Sequence, residues 1–145
     1  MAEDTKRYAL VTGANKGVGF GEVRQLASNG LDVTNPAGIA SLADFVKTQF
    51  GKFDILVNNA GVAGSILNLE AFREVPNKKL EEINWYEVSI PNYELSEECQ
   101  KTNYYGTKRV TEAVFPLLEL SDSPRLVIVS SVVAKLLHFP DGWLM

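Results

Sequence analysis

The chain is poor in the residues that form disulfides and metal centres. Its 145 residues include one cysteine, Cys99, and one histidine, His138. A single thiol cannot form an internal disulfide, which is typical of proteins from a reducing compartment. His138 has no acid or nucleophile spaced to serve it, so it reads as incidental. We therefore expect neither a disulfide nor a metal site.

Long hydrophobic runs and basic clusters are also missing. No stretch approaches the roughly 20 apolar residues of a membrane-spanning helix, and residues 1–7 contain no apolar segment like that of a signal peptide. The formal net charge of −4 argues against nucleic-acid binding by bulk charge. Hydrophobic residues make up 46% and charged residues 22% of the chain, as in ordinary globular proteins. We expect a cytoplasmic, soluble protein without a nucleic-acid or membrane partner.

Short apolar runs that alternate with amphipathic stretches indicate an α/β domain. Strands are predicted over residues 8–12, 53–57 and 125–130, and helices over 17–28, 36–50 and 96–118. Such alternation predicts a parallel sheet with right-handed crossovers. Asn35 and Pro36 mark a helix start, because a capping side chain precedes a proline at the first helical position. Residues 62–95, of mixed polarity, read as a long loop with short helical pieces.

The strongest chemical signal is a glycine-rich turn between the first strand and the first helix. It reads Thr12-Gly13-Ala14-Asn15-Lys16-Gly17-Val18-Gly19. Glycines let the backbone approach a dinucleotide pyrophosphate, and the helix N-terminus adds free N–H donors and a favourable dipole. A glycine-rich turn without a ligand is the alternative. The strand–turn–helix context favours the cofactor.

Three motifs in order resemble those of the short-chain dehydrogenases/reductases. The Thr-Gly-x-x-x-Gly-x-Gly turn is followed by Asn58-Asn59-Ala60-Gly61, by Asn103 in the next helix and by Ser130-Ser131 after the third strand. The sequence around these motifs resembles the plant carbonyl reductases of the salutaridine reductase and neomenthol dehydrogenase group. The resemblance covers nearly the whole chain. It implies a Rossmann-like parallel sheet with flanking helices, and one partial dinucleotide-binding domain over residues 1–145.

The resemblance also implies a role for each matched position. Gly13, Gly17 and Gly19, with Val18, would line the pyrophosphate; Asn15 and Lys16 would flank the adenosine ribose; Asp32 and Val33 would contact the adenine; Asn59, Ala60 and Gly61 would follow the ribose side; Asn103 would support a proton-relay water; and Ser131 would hydrogen-bond the substrate carbonyl. A cation at Lys16 suits a 2′-phosphate, which favours NADP(H) and leaves NAD(H) open. The substrate would be a small carbonyl compound or alcohol.

Simpler roles exist for several of these side chains. Asn58 and Asn59 could end a strand and order a turn. Ser130 and Ser131 could be strand-end hydroxyls bonded to backbone. Their position after buried strands favours a site, because α/β sheets bind ligands at the carboxyl ends of their strands. No strand precedes Asp32, so it does not fit the acid that binds a ribose 2′-hydroxyl.

The sequence departs from the family in two places. Members place a strand, a helix and a strand between the first helix and the Asp-Val pair, whereas here residues 29–31 run straight into Asp32. We therefore expect a sheet of three strands with the first at an edge, which is a pairing hazard. The family's catalytic Tyr-x-x-x-Lys lies downstream of the serine, and no tyrosine follows Ser131. Tyr104 and Lys108 spell the pattern, but they precede Ser131 and adjoin Asn103.

We therefore expect a nicotinamide-dependent oxidoreductase that is truncated, carries an internal gap and does not turn over. Two alternatives remain. One is a non-catalytic module that binds NADP(H) or pairs with another subunit. The other is an unstable product without function. We expect a monomer or weak self-association.

Overall fold

The computed structural model describes residues 6–14, 31–79 and 82–131. Its elements in chain order are β1 (Ala9–Val11), α1 (Pro36–Phe50), β2 (Ile55–Asn58), β3 (Ser65–Leu67), α2 (Leu69–Glu74), a 3-10 turn (Val75–Asn77), α3 (Trp85–Val88), β4 (Ser89–Pro91), α4 (Tyr93–Cys99), a π-helical segment (Gln100–Gly106), α5 (Thr107–Leu118) and β5 (Arg125–Ile128). The helix predicted over residues 17–28 lies outside the described residues. Among the helices of the described ranges, none has the length and hydropathy to cross a membrane.

The main sheet is parallel, with strand order β1-β2-β5. Leu10, Leu56 and Leu126 are in register across it. The α/β fold predicted from the alternating pattern is confirmed. In the described part of the chain β1 lies at one edge of the sheet and β5 at the other. Because all strands are parallel, the segments that follow β1, β2 and β5 meet at one edge, where α/β sheets bind ligands.

Helix α1 has the predicted bounds because its signals are local. The Asn35 side-chain oxygen accepts hydrogen bonds from the backbone N–H groups of Ala37 and Gly38, at 3.0 and 3.3 Å. Pro36 occupies the first turn. At the other end Gly51 adopts a φ of 72° and donates its N–H to the carbonyls of Val46 and Lys47. A cap, a proline and a positive-φ glycine therefore define this helix.

The hydrophobic core lies between α1, α5 and the sheet. Its buried members are Val33, Ile39, Val46, Phe53, Leu56, Val110, Val114, Leu117 and Leu118. Leu56 of β2 is fully buried, and Asn58, two residues later on the same face, is 2% exposed. One face of β2 is thus covered by the helices of the core. This packing fixes the position of β2 and of the residues that follow it.

Residues 62–95 correct the prediction of a loop with helical pieces. The helical pieces are present, and each of α2, α3 and α4 begins after an asparagine whose side chain accepts a backbone N–H: Asn68, Asn84 and Asn92. The prediction missed an antiparallel pair, β3 and β4, with Ile66 opposite Ile90. Strands of three residues are too short to show an alternating pattern.

The helix predicted over residues 96–118 also needs correction. It begins earlier, at Tyr93, because Asn92 caps it by accepting the N–H of Leu95 at 2.9 Å. Its middle is the π-helical segment Gln100–Gly106, which the periodicity did not indicate. Single π-helical turns inside α-helices are frequent at functional sites.

Candidate functional site

Thr12 joins the turn after β1 to the segment after β2. Its side chain is 4% exposed. Its Oγ1 accepts the backbone N–H groups of Asn59 and Ala60, both at 3.0 Å. Its own N–H donates to the carbonyl of Val57 at 3.0 Å. One buried hydroxyl therefore holds the two strand ends together.

The Asn59 side chain strengthens the same junction. Its Nδ2 donates to the carbonyl oxygens of Thr12 and Gly13, at 3.1 and 3.4 Å. The amide nitrogen thus orders the glycine turn, which is the simpler of the two roles considered for it. The predicted contact of Asn59 with a cofactor ribose stays a prediction.

Gly13 lies directly against Ala60. Its φ is 67°, in the left-handed region that favours glycine. A Cβ on Gly13 would lie 2.7 Å from the Ala60 Cα and 2.9 Å from the Ala60 nitrogen. Only a residue without a side chain fits here. The chain after β1 therefore packs closely against Ala60, at the edge where α/β sheets bind ligands.

Asn103 binds the loop after β2 from the π-helical segment. Its Oδ1 accepts the N–H of Val62 at 2.9 Å, and its Nδ2 donates to the Val62 carbonyl at 3.0 Å and to Cys99 Sγ at 3.2 Å. A Cβ on Gly61 would lie 3.4 Å from that Oδ1, an ordinary van der Waals contact. Both polar atoms of the amide have protein partners. The relay-water role predicted for Asn103 stays a prediction.

The Asn58 side chain contacts helix α5. Its Nδ2 donates to Thr111 Oγ1 at 2.9 Å, and that hydroxyl donates to the Thr107 carbonyl at 2.8 Å. Its Oδ1 is buried and has no hydrogen-bond partner among the described residues. Asn58 therefore ties β2 to α5, in keeping with its omission from the predicted site.

Val33 and Asp32 lie beside the π-helical segment. Val33 is 5% exposed, and a Cβ on Gly106 would lie 2.8 Å from its Cγ2. Val33 thus packs in the core. The exposed Asp32 accepts the hydroxyl and the backbone N–H of Thr34, at 2.7 and 2.8 Å, and these bonds lower the pKa of the Asp32 carboxyl. The adenine contact predicted for the pair stays a prediction.

Ser131 follows β5 at the same edge of the sheet as Asn59. The N–H of Val129 donates to the carbonyl of Asn58 at 2.9 Å, so the parallel pairing continues to within two residues of Ser131. The structure therefore brings Gly13, Asn59 and Ser131 to one edge of the sheet. The remaining turn residues of the prediction, Asn15, Lys16, Gly17, Val18 and Gly19, lie outside the described residues.

A family model described as short chain dehydrogenase matches residues 30–140. The chain belongs to the short-chain dehydrogenase family. The matched stretch includes Asn59–Gly61, Asn103 and Ser131, and it begins after the glycine turn.

Individual relatives agree with the family assignment. The chain is 48% identical to (+)-neomenthol dehydrogenase of Arabidopsis thaliana, over an alignment that covers 99% of this chain and 60% of the relative. Among solved structures, salutaridine reductase of Papaver somniferum has a TM-score of 0.70 at 40% identity, covering 90% of this chain and 59% of its own. Menthone neomenthol reductase of Mentha piperita has a TM-score of 0.73 at 36% identity, covering 90% and 62%.

The chain spans about 60% of the length of these relatives. The alignment to the Arabidopsis dehydrogenase runs over 178 residues, more than the 145 of the whole chain. That relative therefore carries residues inside the aligned span that are missing here. This confirms the internal gap predicted from the sequence.

The sequence contains one Tyr-x-x-x-Lys pair, formed by Tyr104 and Lys108. Both side chains make contacts at the surface of their helix. The Tyr104 ring is 59% exposed and packs edge-on against Tyr105, with centroids 4.9 Å apart. The Lys108 ammonium lies 3.9 Å from Glu112 Oε1, one turn further along the helix. Neither contact couples a phenol to a lysine.

Sequence reasoning missed the contacts that Thr12, Ser96 and Cys99 make with these segments. Thr12 had a readable signal, because a hydroxyl directly before a turn glycine commonly bonds nearby backbone. Ser96 and Cys99 had none, since their partners lie about 35 residues earlier on another element.

Proposed function

We propose that the chain binds NADP(H) at the edge of the sheet where β1 and β2 end. The observation that carries the proposal is the close approach of Gly13 to Ala60, fastened by Thr12 and Asn59. A glycine turn at the carboxyl end of a parallel strand suits the pyrophosphate of a dinucleotide. Gly13 and the glycines after it would hold the pyrophosphate, with Asn59, Ala60 and Gly61 along the ribose side.

The phosphorylated cofactor is favoured over NAD(H) by charge. Lys16 stands inside the glycine turn of the sequence, where a cation would pair with a 2′-phosphate. Carbonyl reductase [NADPH] 1 of Mus musculus, whose name specifies NADPH, is 30% identical over 90% of this chain. The two observations support NADP(H) independently.

The reaction class that follows is hydride transfer between the nicotinamide and a small carbonyl compound or alcohol. The cofactor supplies the hydride when bound. Ser131 would hydrogen-bond the substrate oxygen, and the π-helical segment around Asn103 would hold a relay water. Residues 62–95, with β3 and β4, would shape the substrate pocket beside this edge.

We propose further that these 145 residues do not complete the reaction. Hydride delivery to a carbonyl carbon leaves an oxygen that must gain a proton. In this family a tyrosine downstream of the serine gives that proton, and no tyrosine follows Ser131 here. We expect no oxidation of NADPH with ketone or aldehyde substrates. Steady NADPH consumption that needs both a carbonyl compound and Ser131 would contradict this.

The NADP(H) proposal is tested with two glycine variants. Gly13 and Gly51 both have a positive φ, of 67° and 72°. A Cβ on Gly51 meets nothing within 4 Å, whereas a Cβ on Gly13 meets Ala60. Both alanine variants therefore carry the strain of a positive φ, on the order of 1–3 kcal/mol, and only Gly13→Ala also clashes with Ala60.

We expect calorimetric titration to show NADPH binding by the wild type and by Gly51→Ala, with at least tenfold weaker binding by Gly13→Ala. Far-UV circular dichroism checks that both variants fold. Unchanged binding by a folded Gly13→Ala variant would overturn the assigned site, and absence of binding by the wild type would overturn the function.

The exposed strand β5 is the surface most relevant to association with other chains. Leu126, Val127 and Ile128 of β5 are 43 to 60% exposed. Among the described residues, β5 pairs only with β2. An exposed apolar edge strand favours pairing with other chains. We propose that the chain is a monomer or self-associates weakly, and that any self-association uses β5.

A further inference from the structure

The loop after β2, residues 61–64, is held by three side chains on one face of the helix that begins with α4. These are Ser96, Cys99 and Asn103, and we call them the loop clasp. They stand three and four residues apart, the spacing that places side chains on a common helix face. Asn103 belongs to the predicted site, whereas Ser96 and Cys99 have no role in the function proposed above.

Ser96 grips the far end of the loop. Its Oγ lies 2.8 Å from the Gly64 carbonyl and 2.7 Å from the Asn92 carbonyl. The hydroxyl has one hydrogen, which these two acceptors share. The contact crosses from helix to loop, so it adds a tertiary bond to an ordinary helix-surface serine.

Cys99 does two things at once. A Cβ on Gly64 would lie 3.1 Å from the Cys99 Cβ and 3.3 Å from Sγ, so the cysteine packs directly on the loop backbone. Its sulfur also accepts one hydrogen of the Asn103 Nδ2 at 3.2 Å, while the other hydrogen goes to the Val62 carbonyl. The Val62 backbone sets the orientation of the Asn103 amide, because its N–H needs the Oδ1 acceptor and its carbonyl needs the Nδ2 donor. The Cys99 sulfur adds a further contact on the Nδ2 side, which holds the amide in that orientation.

The clasp acts on one half of the site. Thr12 bonds Asn59 and Ala60 to the start of the glycine turn. In the proposed function that turn would hold the pyrophosphate of the cofactor. Residues 62–64 are tied to the clasp instead. We propose that Ser96 and Cys99 are positioning residues that act through Asn103 and the loop to set the nicotinamide end of the cofactor site. This rests on the proposed NADP(H) function.

The test compares two ligands that share the adenine half of the cofactor. NADPH carries the nicotinamide, and 2′,5′-ADP does not. The variants are Ser96→Ala, Cys99→Ala, their double variant, and Cys99→Ser, which keeps a hydrogen-bond acceptor. Ser41→Ala is the matched control, because the Ser41 Oγ bonds only the carbonyl of Ala37, four residues earlier in its own helix.

We expect the double variant to bind NADPH about tenfold more weakly, which corresponds to about 1.4 kcal/mol. Its affinity for 2′,5′-ADP should stay within twofold of the wild type. Cys99→Ser should bind NADPH more tightly than Cys99→Ala, and Ser41→Ala should match the wild type for both ligands. Hydrogen exchange of the Val62 amide should rise in the double variant and not in Ser41→Ala.

Other outcomes separate the two proposals. An equal loss of affinity for both ligands in the double variant would show that Ser96 and Cys99 have only a structural role. Unchanged affinity for NADPH would show that they have no role in binding the cofactor. Either result overturns the proposal for the loop clasp and leaves the NADP(H) function standing. A wild type that binds neither ligand overturns the NADP(H) function and the cofactor role of the clasp together. Val62 exchange then still decides whether the clasp holds the loop.

Discussion

At the scale of single residues, the site is assembled by side chains that bond backbone. Thr12 accepts two N–H groups, Asn59 donates to two carbonyls, and Asn103 matches both polar groups of Val62. The family resemblance gave Asn59 and Asn103 roles around the cofactor, with turn ordering as the alternative for Asn59, and the cofactor roles stay predictions. Such contacts depend on which segments meet in the fold, and spacing along the chain does not encode them.

Asp54 gives the structure a dependence on pH at the opposite edge of the sheet. Its Oδ1 accepts the Ser121 hydroxyl at 2.6 Å, and its Oδ2 accepts the Tyr8 N–H at 2.9 Å. These bonds, that to Ser121 first, lower the pKa of the Asp54 carboxyl below its ordinary value of 3.8. A pKa that is lower in the folded chain stabilises the fold above pH 3.8. That contribution is lost as the pH falls through the lowered value.

We expect Asp54→Asn to lower the free energy of unfolding at pH 7 by about 2 kcal/mol, the cost of disrupting buried hydrogen bonds to a charged group. The difference from the wild type should shrink as the pH falls from 3.8 through the lowered pKa, because the wild-type carboxyl gains its proton over that range. Urea unfolding at a series of pH values measures it. Asp122→Asn, at a carboxylate whose side chain is 97% exposed, is the control and should change little. A deficit for Asp54→Asn that persists unchanged to pH 2 would refute the assignment.

At the scale of elements, local signals predicted what local bonds determine. Helix α1 came out with its bounds because Asn35, Pro36 and Gly51 lie in the chain next to the turns that they define. The pair of β3 and β4 was not predicted, because each strand has only three residues and facing residues such as Ile66 and Ile90 are 24 positions apart. The π-helical segment was also missed, since one wider turn barely shifts the periodicity of a long helix.

The N-cap of α1 provides a direct check at this scale. Asn35→Ala removes the acceptor for the N–H groups of Ala37 and Gly38 and should destabilise the fold by about 1 kcal/mol. Asn35→Asp keeps an acceptor and should retain most of the stability. Urea midpoints at constant slope distinguish the two. Equal midpoints for Asn35→Ala and the wild type would mean that α1 does not contribute to the cooperative unit.

At the scale of the whole molecule, the alternating pattern predicted a parallel sheet, and the family resemblance predicted its first strand at an edge; the described part of the chain agrees with both. The internal gap was readable because the residues after the predicted first helix, 17–28, run directly into Asp32 in the sequence. The exposure of β5 could not be predicted, because an apolar run such as Leu126–Val129 does not indicate which elements cover it in the fold. Apolar strand residues at the surface make net stability the main question for this chain.

The central claim is that this chain folds and holds NADP(H) at the end of β1 and β2. Thermal unfolding of the purified chain, with and without NADPH, tests it most directly. A ligand that binds only the folded state at 100 times its Kd adds about 2.7 kcal/mol of stability. We predict a cooperative transition whose midpoint rises with NADPH and rises less with equal NADH. A broad trace that does not respond to NADPH would contradict the claim.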